Sequence, residues 1–104
     1  MTYILKYFDE VELDVHVAKV WYKEQKEGLE IAFADSIANA IAHIVEMPKM
    51  YSVRYKNIRV AHPKIFPYNI HFYIDEPNAT VVIIAIVHSK RHPRVAKSRV
   101  WFLI

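Results

Sequence analysis

The chain of 104 residues has no cysteine and only one glycine. Without cysteine it has no disulfides, iron–sulfur clusters, thiolate zinc sites or cysteine nucleophiles. A single glycine, Gly28, also excludes a glycine-rich phosphate-binding loop. The six histidines are scattered, and none of them forms an i, i+4 pair accompanied by a third ligand. We therefore expect neither a metal site nor a cofactor.

Long apolar runs are also missing. No stretch approaches the about 18 uncharged apolar residues that a membrane helix needs. The first residues carry acids where a secretory signal has a basic start and a longer apolar run. We expect a cytoplasmic protein with no membrane partner. Hydrophobic residues still make up 54% of the chain. Because independent cores below about 50 residues are marginal, residues 1–104 are predicted to form a single domain.

Charge is distributed unevenly along the chain. The formal net charge is +3, but acids predominate up to Pro48. From Lys49 onward, the chain contains ten lysines and arginines but only two acids, Asp75 and Glu76. This basic half is suited to binding nucleic acid or an acidic protein.

The first half has the periodicity of one strand followed by two helices. The run from Tyr3 to Phe8 predicts a strand, and Asp9 offers a cap for a helix that ends before Gly28. Helical spacing places several apolar residues of this helix on one side, and we expect them to face the core: Leu13, Val17, Val20 and Trp21. A second helix has a stripe of Leu29, Phe33, Ile37, Ala40, Ile41 and Ile44, with Pro48 beyond it. The two helices should form an antiparallel hairpin.

After Pro48 the period changes towards two, which is typical of strands. The segments concerned are Tyr51 to Tyr55, Ile58 to His62, Tyr68 to Ile74 and Val81 to Val87. The last is apolar at every position, as in a central strand covered on both faces. The fold class is therefore α+β, with a four-stranded antiparallel sheet that the first strand can extend. The apolar tail, Val100 to Ile104, either folds back onto the sheet or serves as an edge strand or partner-binding segment.

Three segments resemble the toxins of the RelE/ParE superfamily, which belong to bacterial type II toxin–antitoxin (plasmid stabilisation) systems. These are Trp21-Tyr22-Lys23-Glu24-Gln25 with Gly28-Leu29, then Ile58-Arg59 with Phe66-Pro67-Tyr68-Asn69-Ile70, and finally Val82 to His88 with Arg91 and Pro93. Their order and separation make the resemblance specific. It implies an N-terminal strand and a two-helix hairpin packed on a mainly antiparallel, curved sheet.

The resemblance also implies a function. Such a toxin inhibits growth until a cognate antitoxin wraps it, and it acts either on DNA gyrase or as a metal-independent, ribosome-dependent endoribonuclease that cuts mRNA. The alternative is a decayed toxin fold that only binds an antitoxin or nucleic acid. We expect the antitoxin to be acidic and partly disordered when free, folding onto the basic face. A homodimer is also compatible with the sequence.

Metal-free RNA cleavage needs cations to hold the phosphorane and groups that move protons. The candidate catalytic residues are Arg59, Lys64, Arg91 and His88, and the candidate binding residues are Arg54, His62 and Lys90. Arg59 has a structural alternative, an ion pair with an acid of the helical hairpin. His88 has one as a hydrogen-bonding residue that closes the end of the sheet.

Two positions depart from the ribonuclease branch of the superfamily. Asn69 stands where that branch tends to carry an arginine, and Lys97 stands where it has a tyrosine. An amide stabilises anionic charge less well than a guanidinium, so strong RNA cleavage is in doubt. A gyrase inhibitor needs only a binding surface, and these departures do not contradict it.

Overall fold

The computed structural model describes residues 2–101. Its elements are β1 (Ile4–Tyr7), α1 (Asp9–Gln25), α2 (Leu29–Glu46), β2 (Val53–Tyr55), β3 (Ile58–Ala61), β4 (Tyr68–Asp75), β5 (Thr80–His88) and α3 (Arg94–Lys97). Short 3-10 turns follow α2, β4 and α3. The predicted order of one strand, a helical hairpin and then strands is confirmed. None of the helices in residues 2–101 has the length and apolar character needed to cross a membrane.

The five strands form one mixed sheet in the order β1-β5-β4-β3-β2. Strands β2 to β5 pair antiparallel with their sequence neighbours, as predicted. The first strand extends this sheet by pairing parallel to β5, with Ile4 opposite Thr80 and Tyr7 opposite Ile83. Strand β5 therefore has a neighbour on both sides, and residues 80–87 are all buried. The prediction of a central, doubly covered strand is confirmed.

The helical hairpin covers one face of the sheet. Helix α2 buries its predicted stripe, with Phe33 and Ile44 fully inaccessible to solvent. The sheet contributes alternate residues of β4 to the same core, as the period of two predicts: Tyr68, Ile70, Phe72 and Ile74. Burial of an amphipathic helix against a one-sided strand explains why the helices lie here.

Helix α1 buries a different side from the one predicted. Its buried residues are Val11, Ala18 and Tyr22, which recur at seven- and four-residue steps on the side facing the sheet. The expected core residues are exposed instead: Leu13 by 63%, Val17 by 59%, Val20 by 45% and Trp21 by 56%. The prediction for this helix was wrong because α1 carries two apolar stripes, and the one formed by Val11, Ala18 and Tyr22 packs into the core.

The ends of the hairpin helices also differ in part from expectation. Phe8, not Asp9, occupies the N-cap of α1 and makes no side-chain cap. Asp9 is the first helical residue, where an acid interacts favourably with the helix dipole. Gly28 lies between the helices as predicted, with a left-handed φ of 96° that favours glycine. Its backbone N–H donates a hydrogen bond to the Glu30 carboxylate at 2.8 Å.

The second face of the sheet is covered by the segment that follows β5. Ala96 and Val100 are buried there against Ile58 and Ile84. Val100 thus folds back onto the sheet in a helical turn, as one of the two sequence interpretations holds. The rest of the predicted apolar tail, residues 102–104, lies outside the described residues.

Candidate functional site

Five of the seven candidate residues lie at one end of the sheet, which we call the basic end: His62, Lys64, His88, Lys90 and Arg91. This is where β3 and β5 finish and β4 begins. A hydrogen bond from the Ser89 N–H to the Pro67 carbonyl, 2.8 Å long, joins the two loops concerned. The antiparallel meander brings these residues together because neighbouring strands reverse direction at the same end.

His88 is held in one orientation at the basic end. Its ring packs edge-on against Tyr68, with ring centroids 5.3 Å apart. Its Nδ1 accepts a hydrogen bond from the Lys90 N–H at 3.0 Å. A neutral imidazole that accepts at Nδ1 carries its proton on Nε2. The structural role expected for His88, closing the sheet end, is therefore compatible with its Nε2 acting as a donor to a ligand.

Tyr68 is a neighbour of the basic end that the sequence interpretation did not single out. Tyr68 is directly opposite His88 in the cross-strand register, which the sequence pattern alone does not determine. Its pKa is raised by burial and by the neighbouring Tyr22, while the charge of Arg91 acts in the opposite direction. The hydroxyl of Tyr68 therefore stays protonated at neutral pH, and it is hydrogen-bonded to Tyr22.

The cations of the basic end are accessible. Lys64, Lys90 and Arg91 are exposed, and within residues 2–101 the ion pairs are Lys49–Glu76 and Arg99–Asp14. None of the three basic-end cations is thus neutralised by an acid of the described chain. His62 is exposed beside them, with its Nδ1 3.4 Å from the Tyr68 carbonyl oxygen. Such a surface attracts phosphates or carboxylates.

Arg59 lies elsewhere. It is opposite Phe72, four residues further along β4 than Tyr68, which separates it from His88 by about 13 Å along the strand. Its guanidinium donates hydrogen bonds to the carbonyl oxygens of Tyr51 at 2.6 Å and Lys49 at 3.4 Å. The structure therefore does not bring Arg59 to the surface formed by Lys64 and Arg91, and its bonds go to backbone rather than to an acid of the hairpin.

Arg54, the seventh candidate, lies in β2 at the far edge of the sheet. Its positive charge affects His71, whose Nδ1 lies 3.0 Å from the Tyr55 hydroxyl. Tyr55 and His71 form a second polar group, separate from the basic end. Burial, with lesser contributions from His62, Arg54 and Arg99, lowers the pKa of His71 to about 4. Burial likewise raises the pKa of Tyr55 to about 12. His71 is buried, on the opposite face of the sheet from Ile70 and Phe72.

Lys97 lies over this second group, with its Nζ 5.3 Å from the centre of the Tyr55 ring. A cation in this position is attracted to the ring face. Lys97 therefore links the segment after β5 to strand β2, which contains Tyr55. It supplies no acidic group comparable with the tyrosine that the ribonuclease branch carries.

A groove of about 950 Å³ also runs between the two long helices. Apolar side chains that line it include Val11, Ile37 and Ile86, and Glu12 and Lys19 are among the polar ones. Grooves of this kind between helices accept an apolar face of a partner helix.

The helical hairpin on one face of a mainly antiparallel five-stranded sheet defines a small toxin fold of the RelE/ParE superfamily. A model of the family described as "ParE toxin of type II toxin-antitoxin system, parDE" matches residues 5–93. The chain belongs to this ParE toxin family. No curated protein sequence matches it.

Solved structures share the fold at low sequence identity. The chromosomal ParDE toxin–antitoxin system from P. aeruginosa contains a chain with a TM-score of 0.75 and 12% identity, covering 86% of this chain and 98% of that one. The isolated E. coli RelE toxin has a TM-score of 0.62 and 11% identity, covering 92% of this chain and 94% of that one. At these identities the similarity establishes the fold alone.

Proposed function

We propose that this chain is a growth-inhibiting toxin that acts by binding a macromolecular target, with DNA gyrase as that target, and that a cognate antitoxin neutralises it. The observation that favours binding over RNA cleavage is the position of Arg59. Its guanidinium is held on two backbone carbonyls, about 13 Å along the sheet from His88. A phosphate at the basic end is beyond its reach.

The remaining groups support binding better than RNA cleavage. Metal-free cleavage needs several cations and a proton donor converging on one phosphate. The basic end offers Lys64 on the loop before β4, and Lys90 and Arg91 on the loop after β5. Asn69 and Lys97 replace an arginine and a tyrosine of the ribonuclease branch. Unpaired exposed cations of this kind are suited to steering and holding an acidic surface.

One observation favours ribonuclease activity as the second candidate. His62 and His88 flank Tyr68 beside Arg91 at the basic end, so groups able to move a proton and one cation share a surface. In that case Arg91 would hold the phosphate and a histidine would transfer the proton. A third possibility is a decayed toxin that binds only its antitoxin.

The antitoxin is proposed to be acidic and partly disordered when free. The exposed cations of the basic end would attract its acids, and the groove between α1 and α2 would accept an apolar helix face. Co-expression with the product of a neighbouring gene should relieve growth arrest. Copurification of the two products would support this part of the proposal, and separate elution would contradict it.

The target is tested with two assays on the same purified protein. Inhibition of gyrase supercoiling with mRNA left intact on ribosomes is the expected result. Arg91→Ala and Lys90→Ala should each raise the half-inhibitory concentration several-fold, up to about tenfold for a loss of 1.4 kcal/mol. The matched control is Lys49→Ala, because Lys49 pairs with Glu76 at the opposite end of the sheet.

Each other outcome contradicts the proposal. Cleaved mRNA with unaffected supercoiling would support ribonuclease activity instead, especially if Arg91→Ala abolished the cleavage. Failure of both assays, with harmless expression in cells, would identify a decayed toxin.

A further inference from the structure

The loop between β3 and β4 presents one apolar side chain to solvent at the basic end. Ile65 is 93% exposed, more than any other large hydrophobic residue of the described chain. Pro63 and Phe66 are both buried, so the loop is fixed to the protein on either side of Lys64 and Ile65. Single exposed apolar residues are common on protein surfaces and do not by themselves indicate a function. The backbone of Ile65 distinguishes it from such residues.

Ile65 has a backbone conformation that isoleucine rarely adopts. Its φ is 77°, and it is the only β-branched residue among the non-glycine residues of the described chain that have a positive φ. The Phe66 N–H donates a hydrogen bond across it to the Lys64 carbonyl at 2.9 Å. A three-residue turn with this hydrogen bond and a central φ of about +75° is the rare, strained form of the γ-turn. Glycine would adopt this conformation without the steric cost that a β-branched residue has.

Contacts on both sides of the turn maintain this strain. The Ser36 hydroxyl of α2 donates a hydrogen bond to the same Lys64 carbonyl at 2.6 Å. The Phe66 ring packs edge-on against Phe33 in the core, with ring centroids 5.3 Å apart. None of these contacts involves the side chain of Ile65. The surrounding structure therefore holds an exposed isoleucine in a strained turn without burying it, and strain of this kind is concentrated at functional sites.

We propose that Ile65 is the apolar anchor of the surface with which the toxin binds its protein target, and that this target has an apolar pocket within an acidic surface. The inference rests on the proposed function, because it describes how the basic end would hold that target. Protein interfaces depend on a few anchors that fill pockets of the partner, surrounded by contacts that exclude water. An anchor that is already fixed in position loses little conformational freedom on binding.

The charges around Ile65 indicate the acidic character of the partner. Lys64 precedes Ile65, and the hydrogen bond that joins the two loops of the basic end brings Lys90 and Arg91 to the same end of the sheet. These three cations are exposed, and none of them has an ion pair within residues 2–101. Acids around a pocket of the target would therefore meet cations around the isoleucine.

A protein fits this surface better than nucleic acid does. Proteins hold single-stranded nucleic acid by stacking its bases on aromatic rings. Isoleucine has no aromatic face, and the ring of the adjacent Phe66 is buried. Phosphates would be attracted by the same cations but would gain nothing from Ile65. Replacement of Ile65 should therefore weaken binding of a protein target and leave binding of nucleic acid unchanged.

The first test measures inhibition of purified DNA gyrase in a supercoiling assay. Ile65→Ala should raise the half-inhibitory concentration at least about tenfold, as truncation of an anchor residue does. Ile65→Leu keeps an apolar side chain of the same volume and should retain most of the inhibition. The matched control is Ile4→Ala, which should inhibit as the wild type does. Ile4 is 58% exposed and pairs with Thr80, at the opposite end of β5 from the basic end.

Thermal unfolding separates a functional role of Ile65 from a structural one. Ile65→Gly removes the anchor and also relieves the strain of the turn. It should lose inhibition to the same degree as Ile65→Ala while its melting temperature rises by roughly 4 to 8 °C. A residue that served only the fold would lower the melting temperature when replaced.

Binding kinetics on immobilised gyrase separate the anchor from the cations around it. Ile65→Ala should mainly speed dissociation, because it removes a contact made only in the complex. Lys64→Ala should mainly slow association and reduce its dependence on salt concentration, because an exposed cation steers the encounter.

Two results with an active wild type would overturn the inference and leave the proposed function intact. One is inhibition of gyrase by Ile65→Ala at the wild-type concentration. The other is a lower melting temperature of Ile65→Gly, which would assign Ile65 a structural role. Weaker binding of a fluorescein-labelled single-stranded RNA by Ile65→Ala, but not by Ile4→Ala, would assign the surface to nucleic acid and overturn the inference as well.

A wild type that does not inhibit gyrase would contradict the proposed function, and growth arrest on induction then tests Ile65 separately. Loss of arrest in Ile65→Ala but not in Ile4→Ala, with RNA binding unchanged, would support an anchor for a different protein target. Equal arrest by the wild type and both variants, or no arrest by the wild type, would overturn the inference.

Discussion

The carboxylate of Asp14 and the guanidinium of Arg99 form a two-pronged ion pair, with N–O distances of 2.7 and 2.9 Å, at the edge of β5. Strand β1 pairs with β5 only as far as Ile83. Beyond it, Asp14 accepts the Ile86 N–H at 3.0 Å and Arg99 donates to the Ile84 carbonyl at 3.0 Å. The pair thus takes over hydrogen-bond positions that a longer β1 would otherwise fill.

Arg99→Ala should lower the free energy of unfolding by about 2 to 4 kcal/mol in a urea titration, because the mostly buried Asp14 carboxylate loses its ion-pair partner. The side chains of Arg99 and Asp14 are only 15% and 11% exposed. The double variant Asp14→Ala/Arg99→Ala should lose less than the sum of the single variants. Strict additivity would show that the two residues do not act as a pair.

The exposed pair Lys49–Glu76 is the control for this experiment. Its side chains are 60% and 58% exposed. Lys49→Ala should change stability by less than about 1 kcal/mol.

Stability should fall in mild acid because of His71. Its folded-state pKa is about 4, below the ordinary value of 6.5, so the unfolded chain binds the proton more readily between these values. The stabilisation of the fold that is linked to the neutral His71 is complete above about pH 6.5 and is lost as the pH falls towards 4. After allowance for partial solvent screening, about 1 to 2 kcal/mol is expected. Urea midpoints between pH 7 and pH 4.5 measure it.

Replacement of His71 separates its effect from that of other groups. His71→Gln is neutral at every pH and should show a smaller decline in this range than the wild type. His16→Gln, at an exposed position of α1, should retain the full decline. An unchanged slope in His71→Gln would rule out His71 as the cause.

Phe33 should be among the most sensitive core positions. It is inaccessible to solvent, and its ring contacts those of Tyr22, Phe66 and Tyr68 at centroid distances of 4.9 to 5.3 Å. Phe33→Ala leaves a cavity under the basic end and should cost about 3 to 5 kcal/mol. Ile31→Ala on the same helix, at a side chain 62% exposed, should cost less than about 1 kcal/mol. Thermal unfolding of both variants compares the two positions.

Gly28→Ala tests whether backbone conformation or space limits the turn between the helices. A Cβ at this position would have nothing within 4 Å, yet φ is +96°. Strain in the left-handed region should therefore destabilise the variant by about 1 kcal/mol in spite of the open space. A more stable Gly28→Ala variant would show that the turn adopts another conformation.

Arg59 and Arg91 should behave in opposite ways. Arg59→Ala removes the hydrogen bond to the Tyr51 carbonyl and should lower stability by about 1 to 2 kcal/mol. Arg91→Ala lies on an exposed loop and should change stability by less than about 0.5 kcal/mol while weakening toxicity. Denaturation and growth arrest, measured for both variants, distinguish the roles. Full toxicity of Arg91→Ala would remove it from the target surface.

The strands were predictable because their alternation is local. Residues Tyr68, Ile70, Phe72 and Ile74 face the helices as the period of two requires. Most of the basic end was predictable for a related reason, since loops of a meander gather at shared ends. The pairing of Tyr68 with His88 and the distance of Arg59 from the basic end could not be predicted. Both depend on the register of the strands, which the sequence pattern does not determine.

Helix α1 shows why the buried side of a helix is harder to predict. Val11, Ala18 and Tyr22 form one apolar stripe, and the more uniformly aliphatic Leu13, Val17 and Val20 form another. Hydrophobicity alone favours the second, whereas the choice is made by contact with the sheet. The pair Asp14–Arg99 is still less accessible to sequence reasoning, because 85 residues separate its members.

The parallel pairing of β1 with β5 has a consequence for synthesis of the protein. Residues 4–7 are made well before their hydrogen-bonding partners, residues 80–83. The ion pair between Asp14 and Arg99 at the edge of β5 forms later still, because Arg99 follows β5 in the chain. The hairpin helices can form early, whereas the finished sheet, and with it the basic end, is assembled only once β5 and the residues just after it are available. The surface formed by Lys64, Lys90 and Arg91 therefore comes into existence only after both strands that position it have been made.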